Sequence, residues 1–216
     1  MFKLLLIKLI FFSSVIHAQL VDTSSINKHL NKIINTKSAR NYKNIGTLNY
    51  VANYIYSHFK KYADTTYYQT YNVNKQTYKN VVCVFGSKNL KTIVIGAHYD
   101  VCGNQDGADD NASGVVGLLE LAKLLNNKAL KYRFEIVAYT LEEPPYFRTD
   151  YMGSYIHAKS LYNSKTNIYG MFCLEMIGYF DDTKKSQNYP LKPLSLIYGD
   201  SVHISVSAQT KKFSIN

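Results

Sequence analysis

Apolar and polar positions change period several times along this chain, and each change marks a predicted element. Residues 19–46 are polar with irregularly placed apolar positions (Ile26, Leu30, Ile33, Ile34), which suits an N-terminal helix and a loop. Leu48, Val51, Ala52, Ile55 and Phe59 recur at helical spacing, so residues 47–62 are predicted to form an amphipathic helix. Alternation rich in Tyr and Thr over residues 66–74 predicts an exposed edge strand. Two short apolar runs follow, residues 80–85 and 91–97. Gly86-Ser87-Lys88-Asn89 between them predicts a hairpin of adjacent strands. Residues 115–125 (VVGLLELAKLL) are apolar on most sides, as in a helix buried against a sheet, with Asn111 or Ser113 as its cap. A strand over residues 133–140 is closed off by Pro144-Pro145, a helix follows over 150–161, and a buried strand over 169–177. Residues 194–198 and 202–206 are two weaker strand candidates. Strands alternating with helices predict an α/β fold of three layers, α/β/α, around a mixed, mostly parallel sheet, incomplete at the C-terminus.

Composition narrows this picture at one end of the chain. The first 18 residues place Lys3 and Lys8 around the apolar runs 4–7 and 9–12, and small or polar residues lead to Ala18. This is the pattern of a signal peptide cleaved near Ala18/Gln19. The alternative, a membrane anchor, needs about 20 apolar residues. The expectation is a secreted or periplasmic protein, residues 19–216 forming one folded domain with no stable membrane anchor after cleavage. The formal charge is +10, and loss of Lys3 and Lys8 leaves 10 − 2 = +8. The lysines are scattered, not clustered, and no nucleic-acid motif accompanies them, so nucleic acid is excluded as the expected partner. Three cysteines allow at most one disulfide, and none has zinc-site spacing. Cys83 and Cys173 lie in apolar runs and read as small buried hydrophobes; Cys102 reads as a neutral filler near the loop described next.

The chemistry concentrates in residues 95–114, IGAHYDVCGNQDGADDNASG. A short apolar run delivers His98 and Asp100, a loop of Gly, Asn and Asp runs to Asp109-Asp110-Asn111, and a helical pattern begins. Two more acidic sites close other apolar runs: Glu142-Glu143 and Glu175. A parallel sheet gathers such strand ends in one crevice. Carboxylates gathered there repel one another unless a cation lies between them, and imidazole with carboxylate is a ligand set for Zn²⁺. Several bridging carboxylates suit two ions about 3.5–4 Å apart. Each residue also has a plainer reading taken alone: His98 as a core histidine, Asp109 as a helix cap, Glu142-Glu143 as a solvated pair. Glu175 lies between Leu174 and Met176, where an unpaired charge is costly. His157, in mid-helix, reads as core or surface; Tyr146 and Arg148 are candidate substrate contacts.

These motifs, GAHYD (96–100), GADDNASG (107–114), LEE (141–143), MGS (152–154) and LEMIGY (174–179), together resemble metallopeptidase family 28. These are di-zinc aminopeptidases related to glutaminyl cyclases, and the resemblance extends over residues 45–190. It implies that His98 and Glu175 ligate one zinc, that Asp110 bridges both zincs, and that Glu143 ligates the other. Glu142 is then the general base, and Asp100 stands behind His98 to hold its tautomer. The resemblance also implies a cis peptide after the bridging aspartate. The family supplies one further histidine ligand near the C-terminus. Only His203 lies beyond Glu175 here, in a setting unlike the family's. The expectation is a truncated copy whose second zinc site lacks its imidazole. The implied function is a zinc exopeptidase, foremost an aminopeptidase acting on peptide substrates. A glutaminyl cyclase and a non-catalytic copy are the alternatives, and the presence of His98 argues against the cyclase.

Overall fold

A computed structural model describes residues 21–181, 183–186 and 206–209. The leader segment 1–18, the strand candidate 194–198, nearly all of 202–206 and His203 lie outside the described residues. Helix α1 (Thr23–Ile34) starts at Asp22, whose Oδ1 accepts a hydrogen bond from Ser24 N at 3.0 Å. Helix α2 (Ile45–Tyr62) buries the predicted stripe of Leu48, Val51, Ala52, Ile55 and Phe59. Strands β1 (Thr65–Val73) and β2 (Gln76–Phe85) form an antiparallel hairpin. Asn74 and Lys75 close it with positive φ, 50° and 66°, the backbone that a tight hairpin turn demands. Strand β3 (Thr92–His98), helix α3 (Gly114–Leu125), strand β4 (Arg133–Tyr139), helix α4 (Gly153–Asn163) and strand β5 (Ile168–Leu174) follow, and β6 (Val206–Gln209) ends the described chain.

The sheet order is β1-β2-β4-β3-β5-β6. Strands β4, β3 and β5 run parallel side by side, while β2 and β6 are antiparallel to their neighbours. The sheet is therefore mixed, and four of its six described strands share one direction. The expected hairpin between β2 and β3 does not form, because β4 lies between them. The physical reason is burial: β3 is buried at all seven positions. A strand buried on both faces belongs at the sheet centre with neighbours on each side. The hairpin signal lay one connection earlier, at Asn74-Lys75.

Alternate residues of the strands face two different helix layers. Cys83, Ile95, Ala97, Ile136 and Ala138 pack with α1, α2 and α3 in one cluster. Val82, Val84, Val94, Val137 and Tyr139 form the other, against Leu161 of α4. The result is the three-layer arrangement. Among the described residues, no helix is long and apolar enough to cross a membrane.

Candidate metal centre

The three central parallel strands end side by side, and each end carries a candidate residue. His98 is the last residue of β3, and Glu175 is the first residue beyond β5. Strand β4 stops at Tyr139, paired with His98, and the chain then turns through Leu141 at φ 63° to Glu142 and Glu143. His98 Nε2 lies 3.1 Å from Asp110 Oδ1, 3.4 Å from Glu175 Oε1 and 4.0 Å from Glu143 Oε1. His98, Asp110 and Glu175 each bring a ligand-capable atom within 4.8 Å of the others. They open on a cleft of about 470 Å³, whose walls include Glu142, Glu143, Phe147, Ser154 and Cys173.

Asp110 reaches this cluster through the alternation of the segment that carries it. Residues Ala108–Ser113 form an irregular turn, non-helical at Asp110 and Asn111, and the Asp110–Asn111 peptide is cis, as the resemblance implies. Every second side chain docks the turn after β5. Asp109 Oδ1 accepts from Gly178 N at 2.8 Å, Asn111 Oδ1 from Met176 N at 3.2 Å, and Ser113 Oγ from Ile177 N at 3.1 Å. Asn111 Nδ2 also donates to Leu174 O at 2.9 Å and to Glu175 Oε2 at 3.1 Å. Asn111 Oδ1 takes the Gly114 N–H at 3.2 Å, which makes it the side-chain cap of α3. Asp109 is thus a tether for Gly178, and the intervening Asp110 is left for the His98 cluster.

Asp100 stands behind His98, and its carboxylate also serves a second strand end. His98 Nδ1 is 3.1 Å from the Asp100 backbone carbonyl, within hydrogen-bond reach, but 3.6 Å from its carboxylate. The carboxylate accepts the backbone N–H groups of Glu142 at 3.3 Å and Glu143 at 3.1 Å. It thereby couples the ends of β3 and β4. Glu142 in turn accepts from Ser154, from the backbone N at 2.7 Å and from Oγ at 2.7 Å, at the start of α4. Ser154 was not singled out by the sequence beyond its place in the MGS motif.

The remaining candidates separate from the site. Tyr146 packs edge-on against Tyr42 and receives a hydrogen bond from Asn74 Nδ2 at 3.3 Å. Phe147, not Tyr146 or Arg148, lines the cleft. His157 is core: buried, its Nε2 sits 3.1 Å from Glu135 Oε2 and its Nδ1 3.1 Å from Tyr139 Oη. All three cysteines are free thiols; Cys173, read from the sequence as a small buried hydrophobe, lines the cleft, and Cys102 does not.

The donor set fits a divalent cation on grounds internal to the chain. Asp110 Oδ1 is buried and has no hydrogen-bond donor; the His98 contact is close but misaligned for one. Among the described residues, no Lys or Arg pairs with Asp110, Glu142, Glu143 or Glu175 within 4.0 Å. Burial by itself would depress the His98 imidazole, but the carboxylates of Asp100, Asp110 and Glu175 outweigh it and hold its pKa well above the ordinary value. The nearby imidazole in turn lowers Asp110. Burial raises Glu143, and it raises Glu142 to about 7. Metal binding at His98 would therefore compete with a proton.

Comparison with known proteins gives a consistent result. Residues 80–211 match the profile of peptidase family M28. The chain is 41% identical over 181 residues to the uncharacterized protein YfbL of Escherichia coli, covering 80% of this chain and 54% of that one. It is 29% identical over 106 residues to aminopeptidase YwaD of Bacillus subtilis, covering 48% of this chain and 22% of that one. The fold is similar to the LapA aminopeptidase of Legionella pneumophila (TM-score 0.62, 23% identity, 74% of this chain and 44% of that one). It is also similar to a Zn-dependent exopeptidase from Parabacteroides distasonis (0.58, 22%, 73% and 62%). A glutaminyl cyclase of Bacteroides thetaiotaomicron shares it too (0.61, 18%, 76% and 64%). The chain spans about half the length of YfbL and less of YwaD.

Proposed function

The chain belongs to peptidase family M28, and from that premise we propose that it is a zinc-dependent exopeptidase releasing N-terminal residues from peptides. The observation that carries the reading is the meeting of His98 Nε2 with Asp110, Glu175 and Glu143 within 4.0 Å at three adjacent strand ends. His98 and Glu175 would hold one zinc, Glu143 a second, and Asp110 would lie between them. When bound, zinc polarises the scissile carbonyl and lowers the pKa of water. Glu142, unlike Glu143, has no contact with His98 within 4.0 Å; it lies on the cleft wall, held from behind by Ser154. It takes the proton of the attacking water and delivers it to the leaving amine. Asp100 keeps Glu142 and Glu143 in place through their backbone N–H groups.

The test is a paired assay on the zinc-loaded chain: release of free N-terminal residues from peptides against cyclisation of N-terminal glutamine. Wild type is expected to release residues. Glu142→Gln is expected to lose at least a hundredfold in turnover, the low end of a positioned general base, while retaining its zinc. Cyclisation without release would replace the peptidase reading by the cyclase one, and an unimpaired Glu142→Gln would remove the base. The leader pattern extends the proposal to a secreted or periplasmic location. A mature N-terminus at Gln19 on exported protein would support that, and a chain that keeps Met1 and stays in the cytoplasm would oppose it.

A further inference from the structure

One buried cation lies beneath the site with no part in this mechanism. Arg40, in the segment before α2, is 1% exposed. Among the described residues, it forms no ion pair with a carboxylate, and its side-chain bonds go to backbone carbonyls. Nε donates to Tyr99 O at 2.8 Å, Nη2 to Gly107 O at 2.5 Å, and Nη1 to Asp106 O. The Arg40 carbonyl accepts from Val101 N at 3.2 Å, and Asn41 Nδ2 donates to Gly103 O at 2.5 Å. Two adjacent residues thus grip the whole loop that joins Asp100 to Asp110.

Apart from the Asp109 tether to Gly178 at its far end, that loop has little else to hold it. Its described internal backbone bonds are Gln105 N to Cys102 O at 3.4 Å and Ala112 N to Gly107 O at 3.1 Å. Gly107 sits at φ 58°, and a Cβ there would meet Arg40 Nη2 at 2.7 Å and the Asp110 carbonyl at 2.4 Å. The guanidinium is therefore packed against the turn that leads into Asp110. A planar fork with five N–H donors can satisfy three carbonyls at once, which a lysine ammonium on a flexible stem cannot do in the same geometry. Burial lowers the Arg40 pKa to about 10, while the charges of Asp100, Asp110 and Asp106 work in the opposite direction.

We propose that Arg40 is a positioning residue for the metal centre: its grip on residues 99–107 presets Asp110 against His98 before any cation binds. The proposal rests on the zinc reading above. Its test compares metal-free wild type, Arg40→Lys and Arg40→Ala by competition for zinc against a chromophoric chelator, with circular dichroism to establish folding. Arg40→Ala should bind zinc about 10–100-fold more weakly, the range for residues that orient ligands. Ethylguanidinium should restore part of the loss, and Arg40→Lys should fall between. Hydrogen exchange on wild type supplies a second reading: amides of residues 99–110 should be as protected without zinc as with it. Wild-type zinc affinity in a folded Arg40→Ala would overturn the proposal. So would a loop that becomes protected only when zinc is added, and this arm decides alone should neither variant fold. A wild-type chain that takes up no zinc would defeat the zinc reading and Arg40's role together, so the two failures are distinguishable.

Discussion

At the scale of single residues, Asn111 does more than its place in the sequence suggests. It is fully buried, and its one amide serves Leu174, Glu175, Met176 and Gly114. Truncation to Ala would take away the partner that Asn111 gives the Leu174 carbonyl and the Met176 N–H, while the Gly114 N–H keeps the Asn111 backbone carbonyl. Each such buried orphan costs about 1–3 kcal/mol. Asn111→Ala is therefore expected to lower the stability of the metal-free chain by about 2 kcal/mol or more and to weaken zinc binding, since Glu175 loses its donor. Denaturant unfolding and chelator competition measure the two effects, and an unchanged midpoint would refute the tether. The cluster around His98 was legible in the sequence because His98, Glu142-Glu143 and Glu175 close apolar runs, while Asp110 stands in a polar loop directly before an apolar helix. Arg40 was not: it lies in a polar stretch without periodicity, and its partners are backbone carbonyls about 60 positions away, which carry no side-chain signature.

At the scale of elements, α1, α2 and α3 are joined through a buried polar knot apart from the metal centre. His29 Nδ1 meets Tyr54 Oη at 2.6 Å, His29 Nε2 lies 3.7 Å from Glu120, and the His29 and His58 rings cross at 4.6 Å. Lys28, Lys61 and Lys123 surround it, and among the described residues Glu120 is the acidic group that opposes them. Burial is the main cause lowering both histidines, His58 to about 4. The unfolded chain thus takes up a proton near pH 6.5 that the folded chain refuses until about pH 4. Stability present at neutral pH is lost as pH falls through this window. Between pH 7 and pH 5 the His58 share amounts to about 2 kcal/mol. Denaturant unfolding of metal-free wild type and His58→Gln at both pH values should show the smaller loss in the variant, and equal losses would contradict the assignment. Helix and strand existence was readable from periodicity, as the stripe of α2 shows. Strand adjacency was not, because the apolar run of β3 says that it is central without saying that β4 would be its neighbour.

At the scale of the whole molecule, the fold brings charge of one sign to the mouth of a parallel sheet, and the account rests on a cation to offset it. A ligand that binds only the folded chain stabilises it by mass action, about 2.7 kcal/mol at one hundred times its Kd. For a chain of this size that is a rise in Tm of about 5–10 °C, reversed by a chelator; a Tm indifferent to zinc would count against binding. The most direct test is zinc-edge X-ray absorption on the metal-free chain loaded with one equivalent of zinc. The account predicts stoichiometric uptake into a shell of oxygens and one imidazole, lost in His98→Ala. Zinc held by sulfur from Cys102 or Cys173, or no stoichiometric uptake at all, would contradict it.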